Sequence, residues 1–114
     1  MRQLIFASLG LNIVVLVPVC ISLLIKADWT LSAYGPESAA RGILLSIYLA
    51  ILLCSAGLLF KPIPAMVAAL LLVQIIYKVT TPFTVGTLAN PVVISNLAIA
   101  AFHGLTLWSI WKAS

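Results

Sequence analysis

Four long apolar stretches constrain this chain more than any other feature of its sequence. A membrane-spanning helix needs about 20 mostly apolar residues, and residues 4–25, 40–60, 63–79 and 92–111 meet that requirement. Backbone polar groups in hydrocarbon must be satisfied internally, so only helices or a closed barrel span a bilayer. The stretches lack the two-residue alternation of barrel strands. The sequence therefore predicts an all-α, four-transmembrane-helix antiparallel bundle, with both termini on the same side, in a single membrane domain of residues 1–114.

The composition indicates that the outer surface of this bundle faces lipid. Of 114 residues, 7% are charged and 64% are hydrophobic, whereas a soluble domain is about a quarter charged. So few polar groups cannot cover an exterior in water. The basic residues form no basic face, so we expect no nucleic-acid partner. They lie near the ends of apolar runs, where they reach lipid headgroups: Arg2, Lys26, Arg41, Lys61, Lys78 and Lys112.

The connections between spans set the expected topology. The turn at Lys61 is so short that the second and third spans must be antiparallel neighbours. The longest connection is 26–39, predicted as a loop, and Pro82 and Pro91 are expected to bracket the third loop. Lys and Arg counts are equal on the two sides of the membrane. Because Trp108 and Trp111 sit beside a lysine at the carboxyl end, we expect cytoplasmic termini.

Two helix faces carry small residues at four-residue spacing. Small faces let helix backbones approach closely in lipid, where van der Waals contact replaces the hydrophobic drive. The sequence favours packing inside the bundle, with a surface for a partner or a second copy as the alternative. The first face, on the second span, is Gly42, Ser46, Ala50 and Cys54, and the second, on the fourth span, is Asn96, Ala100 and Gly104.

The most polar region lies on the side opposite the termini. Gly35-Pro36 is typical of a helix start, and Glu37 in a first turn would pair with Arg41. Gln74 and Lys78 share a face of the third span on the same side. One interfacial pocket for a lipid headgroup or small anion is predicted; alternatively, the first pair is only a cap and salt bridge, and Lys78 reaches toward the headgroups. The pocket residues are Glu37, Arg41, Gln74, Tyr77 and Lys78.

His103 is the one ionisable residue expected deep in the membrane, where such residues are functional candidates. Asn12 lies at a similar depth by helical rise, so a structural Asn12–His103 hydrogen bond is predicted. A haem ligand or a proton relay is the alternative. With no second His and no acid at that depth, we expect no metal and no cofactor.

No catalytic pattern is present in the sequence, and we expect no enzymatic activity. It contains no metal cluster, Ser-His-Asp set or Gly-rich phosphate loop. The patterns YGPESAAR at 34–41, SIYLA at 46–50 and QIIYK at 74–78 resemble those of small, uncharacterised bacterial four-helix membrane proteins. That resemblance implies a bacterial inner (cytoplasmic) membrane location and carries no activity. Length and span number are also similar to the small multidrug resistance transporters, but the first span lacks their glutamate and the similarity is confined to size.

Two functions fit these expectations. The favoured one is a non-catalytic accessory or packing subunit that associates with a larger membrane complex. The alternative is a homo-oligomeric transporter or channel component that binds a small solute, an anion or a lipid. The expected partners are therefore membrane lipid and either a membrane protein complex or further copies of the chain.

Overall fold

Helices account for all the regular secondary structure in the computed structural model, which describes residues 2–113. They are α1 Arg2–Leu24, α2 Asp28–Tyr34, α3 Ala39–Phe60, α4 Pro64–Val85 and α5 Pro91–Ala113. α1, α3, α4 and α5 are long and apolar enough to cross a membrane by length and composition. The four predicted spanning helices are therefore confirmed. Proline occupies the first position of both α4 and α5, where its missing N–H has no helical partner to lose.

The described chain divides into two compact units. The terminal unit contains residues 2–8 and 61–113, and in it α4 packs along α5. The hydroxyls of Ser8 and Thr106 are 2.6 Å apart, and Thr106 also donates to the Leu4 carbonyl at 3.3 Å. The first turns of α1 thus lie beside the last turns of α5. Both ends of the described chain are consequently at the same end of this unit, as predicted.

The central unit contains residues 9–60, which are the remainder of α1, α2 and α3. Asn12 Nδ2 donates to Ser55 Oγ at 3.0 Å, which joins the early part of α1 to the late part of α3. At the opposite end, Leu23 and Arg41 line the same cavity. α1 and α3 are therefore antiparallel in this unit. Their buried apolar side chains are Leu9, Leu16, Cys20, Leu23, Tyr48, Ile51 and Leu58.

The connection at 26–39 was predicted as a loop, but it contains a helix, α2. Asp28 in its first turn complements the positive helix end. Gly35 ends α2 at φ 87°, and its N–H donates to the Leu31 carbonyl at 3.0 Å. Gly35-Pro36 is therefore the end of one helix, not the start of the next. α3 begins after Ser38, whose Oγ accepts the Arg41 backbone N–H at 3.2 Å, as an N-cap residue does.

α4 continues six residues beyond the predicted end of its span at 79, to Val85. Pro82 lies inside the helix, although it was expected to bracket the loop. The hydroxyl of Thr81 donates to the Tyr77 carbonyl at 2.6 Å, so the polar side chain is satisfied within the helix. The helix ends only at Gly86, which adopts the left-handed conformation with φ 85°.

Candidate functional site

Each unit contains a set of buried polar side chains, which we call its polar cluster; in the central unit the set has two separate parts, Asn12 with Ser55 and Thr30 with Arg41. The set in the terminal unit is Ser8, Gln74, Lys78, Asn96, His103 and Thr106, and that in the central unit is Asn12, Thr30, Arg41 and Ser55. The predicted interfacial pocket draws residues from both units: Glu37 and Arg41 belong to the central unit, and Gln74, Tyr77 and Lys78 to the terminal unit. A shared pocket therefore stays a prediction.

Arg41 is held in place by α2 and the turn that follows it. Its guanidinium donates to the Gly35 carbonyl at 3.1 Å and to Thr30 Oγ1. The Thr30 hydroxyl itself donates to the Ala27 carbonyl at 2.6 Å, which leaves its oxygen free to accept from Arg41. Only 7% of Arg41 is exposed. The fold thus fixes a positive charge at the start of α3 through two hydrogen bonds that Arg41 donates to groups outside that helix.

Glu37 pairs with Lys26, at 2.9 Å between Oε1 and Nζ, which corrects the predicted Glu37–Arg41 pair. The i,i+4 geometry requires both residues to be helical, and Glu37 precedes the start of α3. Lys26 follows α1 and adopts the left-handed conformation with φ 59°, where glycine is more usual. Lys26–Glu37 is the single ion pair among residues 2–113, so Arg41 has no carboxylate partner within them.

A cavity of about 190 Å³ adjoins this cluster, and we call it the Arg41 cavity. Three of its lining residues are leucines, and four are charged or hydroxyl-bearing. The lining residues are Leu23, Leu24, Lys26, Glu37, Ser38, Arg41, Gly42 and Leu45. The cavity is therefore amphipathic: it has an apolar wall of leucines, and its polar side chains lie where α1 ends and α3 begins.

The cluster in the terminal unit centres on Lys78. Its Nζ donates to Gln74 Oε1 at 3.2 Å and lies 5.6 Å from the centre of the Tyr77 ring. Only 5% of Lys78 is exposed. The two acidic residues of the chain, Asp28 and Glu37, are both in the central unit. Within the terminal unit, Lys78 is thus a buried cation whose hydrogen-bond acceptor is a neutral amide.

His103 is fully buried in the terminal unit. The Ser8 main chain lies close to the ring, but neither ring nitrogen makes a hydrogen bond of ordinary geometry within the terminal unit. Asn12 belongs to the central unit, where its amide donates to Ser55. The predicted Asn12–His103 hydrogen bond would join the two units, so it stays a prediction.

Replacing His103 by Leu is expected to stabilise the folded chain by about 1 kcal/mol, because a buried polar group without a partner is costly. The measurement is the free energy of unfolding by SDS in mixed micelles, compared with the wild-type chain. Asn12→Leu serves as the control, since it removes a buried polar group that does have a partner and should destabilise. A loss of stability in His103→Leu would show that the imidazole is hydrogen-bonded in the membrane.

Neither cluster reproduces a metal centre: residues 2–113 contain no group of three His, Cys, Asp or Glu placed to hold an ion. No family model matches this chain, and no curated protein or solved structure matches it either. Its function is therefore inferred from its own side chains and surfaces.

The two small-residue faces differ in burial. On α5, Asn96 and Ala100 are buried and Gly104 is half-buried. The Asn96 amide donates to Thr81 Oγ1 of α4 at 3.4 Å, so this face packs within the chain. On α3 the buried residues are Arg41, Tyr48, Ile51, Ser55 and Leu58.

The small-residue face of α3 is exposed along its whole length, which corrects the expectation that it packs inside the bundle. On a helix, rows of residues four apart form alternating ridges and grooves. The small row lies between a row with Ile43 and Ile47, 62% and 49% exposed, and a row with Leu49 and Leu53, 42% and 70% exposed. We call this small row the α3 groove; its residues are Gly42, Ser46, Ala50 and Cys54.

Proposed function

We propose that this protein is a non-catalytic membrane subunit whose α3 groove receives a helix of a larger membrane complex. The exposed α3 groove carries the proposal. Lipid tails are as apolar as leucine, so helices associate in a bilayer where small residues permit close van der Waals contact. The equivalent row on α5 is covered by the chain itself, whereas the row on α3 is covered by nothing in residues 2–113.

The shape of the α3 groove indicates what kind of helix fits it. Large aliphatic side chains of a partner helix would insert between the Ile43–Ile47 and Leu49–Leu53 ridges. The exposed Ser46 hydroxyl offers a polar contact in the middle of the groove. A Cβ added at Gly42 would meet no atom of the chain within 4 Å. A methyl group added at Gly42 could therefore obstruct a partner without disturbing the chain's own packing.

The non-catalytic part of the proposal is supported by the composition of the two polar clusters. Arg41 and Lys78 are cations, and the groups that they contact are a main-chain carbonyl, a hydroxyl, an amide and an aromatic ring. In neither cluster does the geometry bring a nucleophile, a general base and an acid together. An accessory role requires only that the chain fold and associate.

Filling the groove by Ala50→Leu is expected to reduce the amount of partner complex recovered by at least about tenfold, or 1.4 kcal/mol of association free energy. A tagged chain is extracted from its native membrane in mild detergent, and its associated proteins are measured by sizing and mass spectrometry. Ala69→Leu is the matched control, because Ala69 is also exposed but lies on α4. Equal recovery with both variants would contradict docking through the α3 groove.

The natural cysteine in the α3 groove allows a partner to be identified by cross-linking. Cys54 is exposed and free, whereas Cys20 is buried. A photoreactive maleimide on Cys54 should give an adduct with a different membrane protein, and Ala50→Leu should abolish that adduct. An adduct of twice the mass of the chain would instead support the homo-oligomeric alternative and overturn the accessory role.

A further inference from the structure

We propose that the Arg41 cavity binds the phosphate of an anionic phospholipid, with its leucine wall against the upper part of the acyl chains. This inference does not rest on the proposed function, although Gly42 belongs both to the α3 groove and to the lining of the Arg41 cavity. It rests on the shape of the cavity, on an uncompensated buried charge and on the position of that charge relative to the ends of the spanning helices.

The charge balance of the cavity calls for an anion. Lys26 and Glu37 neutralise each other at 2.9 Å, which leaves Arg41 as the net charge of the lining. A buried cation without an opposite charge is unfavourable, and only 7% of Arg41 is exposed. A bound anion would supply the missing opposite charge.

The hydrogen-bond donors of the cavity suit a phosphate. A guanidinium has five N–H groups, and Thr30 and Gly35 take one from each terminal nitrogen. The remaining donors can address phosphate oxygens, and the two existing bonds already hold the side chain in place. Ser38 accepts the Arg41 backbone N–H through its oxygen, so its hydroxyl proton is free to donate to the same ligand.

The position of the cavity favours a lipid over a dissolved anion. It lies where α1 ends at Leu24 and α3 begins at Ala39, which is where the chain leaves the hydrocarbon. Trp29 on α2 is 43% exposed, as is typical of the headgroup region. Below the polar groups, the leucines continue the cavity as an apolar wall. A phospholipid has its phosphate and its acyl chains in this same order.

The positive end of α3 adds to this attraction. Ser38 caps that 22-residue helix and Arg41 lies in its first turn, where backbone N–H groups and the helix dipole favour negative charge. The positive end of the helix dipole and the Arg41 charge are both at the amino end of α3, beside the cavity, so they attract an anion together.

The test uses the purified full-length chain in detergent, with binding read by native mass spectrometry. The probes are dioctanoyl phosphatidylglycerol, dioctanoyl phosphatidylcholine and inorganic phosphate. We expect the wild-type chain to bind one phosphatidylglycerol tightly and Arg41→Gln to bind it at least about tenfold more weakly. Arg41→Lys should show an intermediate loss, because lysine keeps the charge but lacks the paired N–H donors of a guanidinium. Lys61→Gln is the charge-matched control, because Lys61 is exposed and does not line the cavity.

A second variant keeps the test decisive if Arg41→Gln fails to fold. Leu24 lines the cavity and is 70% exposed, so Leu24→Glu introduces a competing negative charge without removing any Arg41 hydrogen bond. It should weaken phosphatidylglycerol binding, and Leu88→Glu, 63% exposed in the 86–90 loop, should not.

Three outcomes would overturn the proposal. Equal losses in Arg41→Gln and Lys61→Gln would mean that general positive charge attracts the lipid. Binding of inorganic phosphate as tight as that of phosphatidylglycerol would assign the cavity to a dissolved anion. Equal binding of phosphatidylcholine would remove the requirement for net negative charge in the lipid.

Discussion

Replacing Lys78 by Met should stabilise the folded chain by about 2 kcal/mol, because burying a cation without an opposite charge is costly. The ammonium is 5% exposed, and its hydrogen-bond acceptor is the neutral amide of Gln74. The Tyr77 ring at 5.6 Å adds a cation–π contact, which is weaker than a carboxylate would be. Met has a similar length and flexibility, so it fills the same space without the charge.

The measurement is the free energy of unfolding by SDS in mixed micelles, with Lys61→Met as control. Lys61 is exposed in the turn between α3 and α4, so its replacement should leave stability unchanged. If Lys78→Met instead lowers stability, the ammonium is reaching the headgroups, as in the snorkelling alternative, and contributes there. A gain would show that the chain carries this buried charge at a cost in stability, which is common for residues retained for function.

The spanning helices were predictable from sequence because a membrane sets their length and leaves the backbone no alternative to a helix. The boundaries depend on local chemistry that is harder to recognise. Gly35 ends α2 and Gly86 ends α4, both at positive φ, yet a glycine next to proline is also typical of a helix start. Proline is typical of a helix boundary, yet α4 continues through Pro82 to Val85.

The polar residues of the candidate sites were also identifiable from sequence, but their partners were not. Whether Glu37 meets Arg41 or Lys26 depends on where α3 starts, and one turn of difference changes the answer. The two small-residue rows have the same spacing, and one is buried while the other is exposed. Spacing shows that a row exists, and only the packing of the other helices shows which row is covered.

Gln74→Leu should destabilise the chain by about 2 kcal/mol, because it removes the hydrogen-bond acceptor of a buried cation. Gln74 is fully buried, and its Oε1 lies 3.2 Å from Lys78 Nζ. Its amide nitrogen donates to the Leu70 carbonyl at 3.4 Å, a long contact whose loss should contribute little. Gln3→Leu, at an exposed position of α1, is the matched control and should have almost no effect.

The double variant distinguishes a loss at Lys78 from a general loss of packing. With Met at position 78, Gln74 has no ammonium to accept from and is itself a buried amide with one weak bond, so Gln74→Leu should then be neutral or stabilising. The sign of its effect should reverse between the two backgrounds, with a coupling energy of about 2 kcal/mol, within the range for residues in direct contact. Equal destabilisation in both backgrounds would mean that Leu fits poorly between α4 and α5. In that case the Lys78 ammonium would have to be stabilised by something other than Gln74.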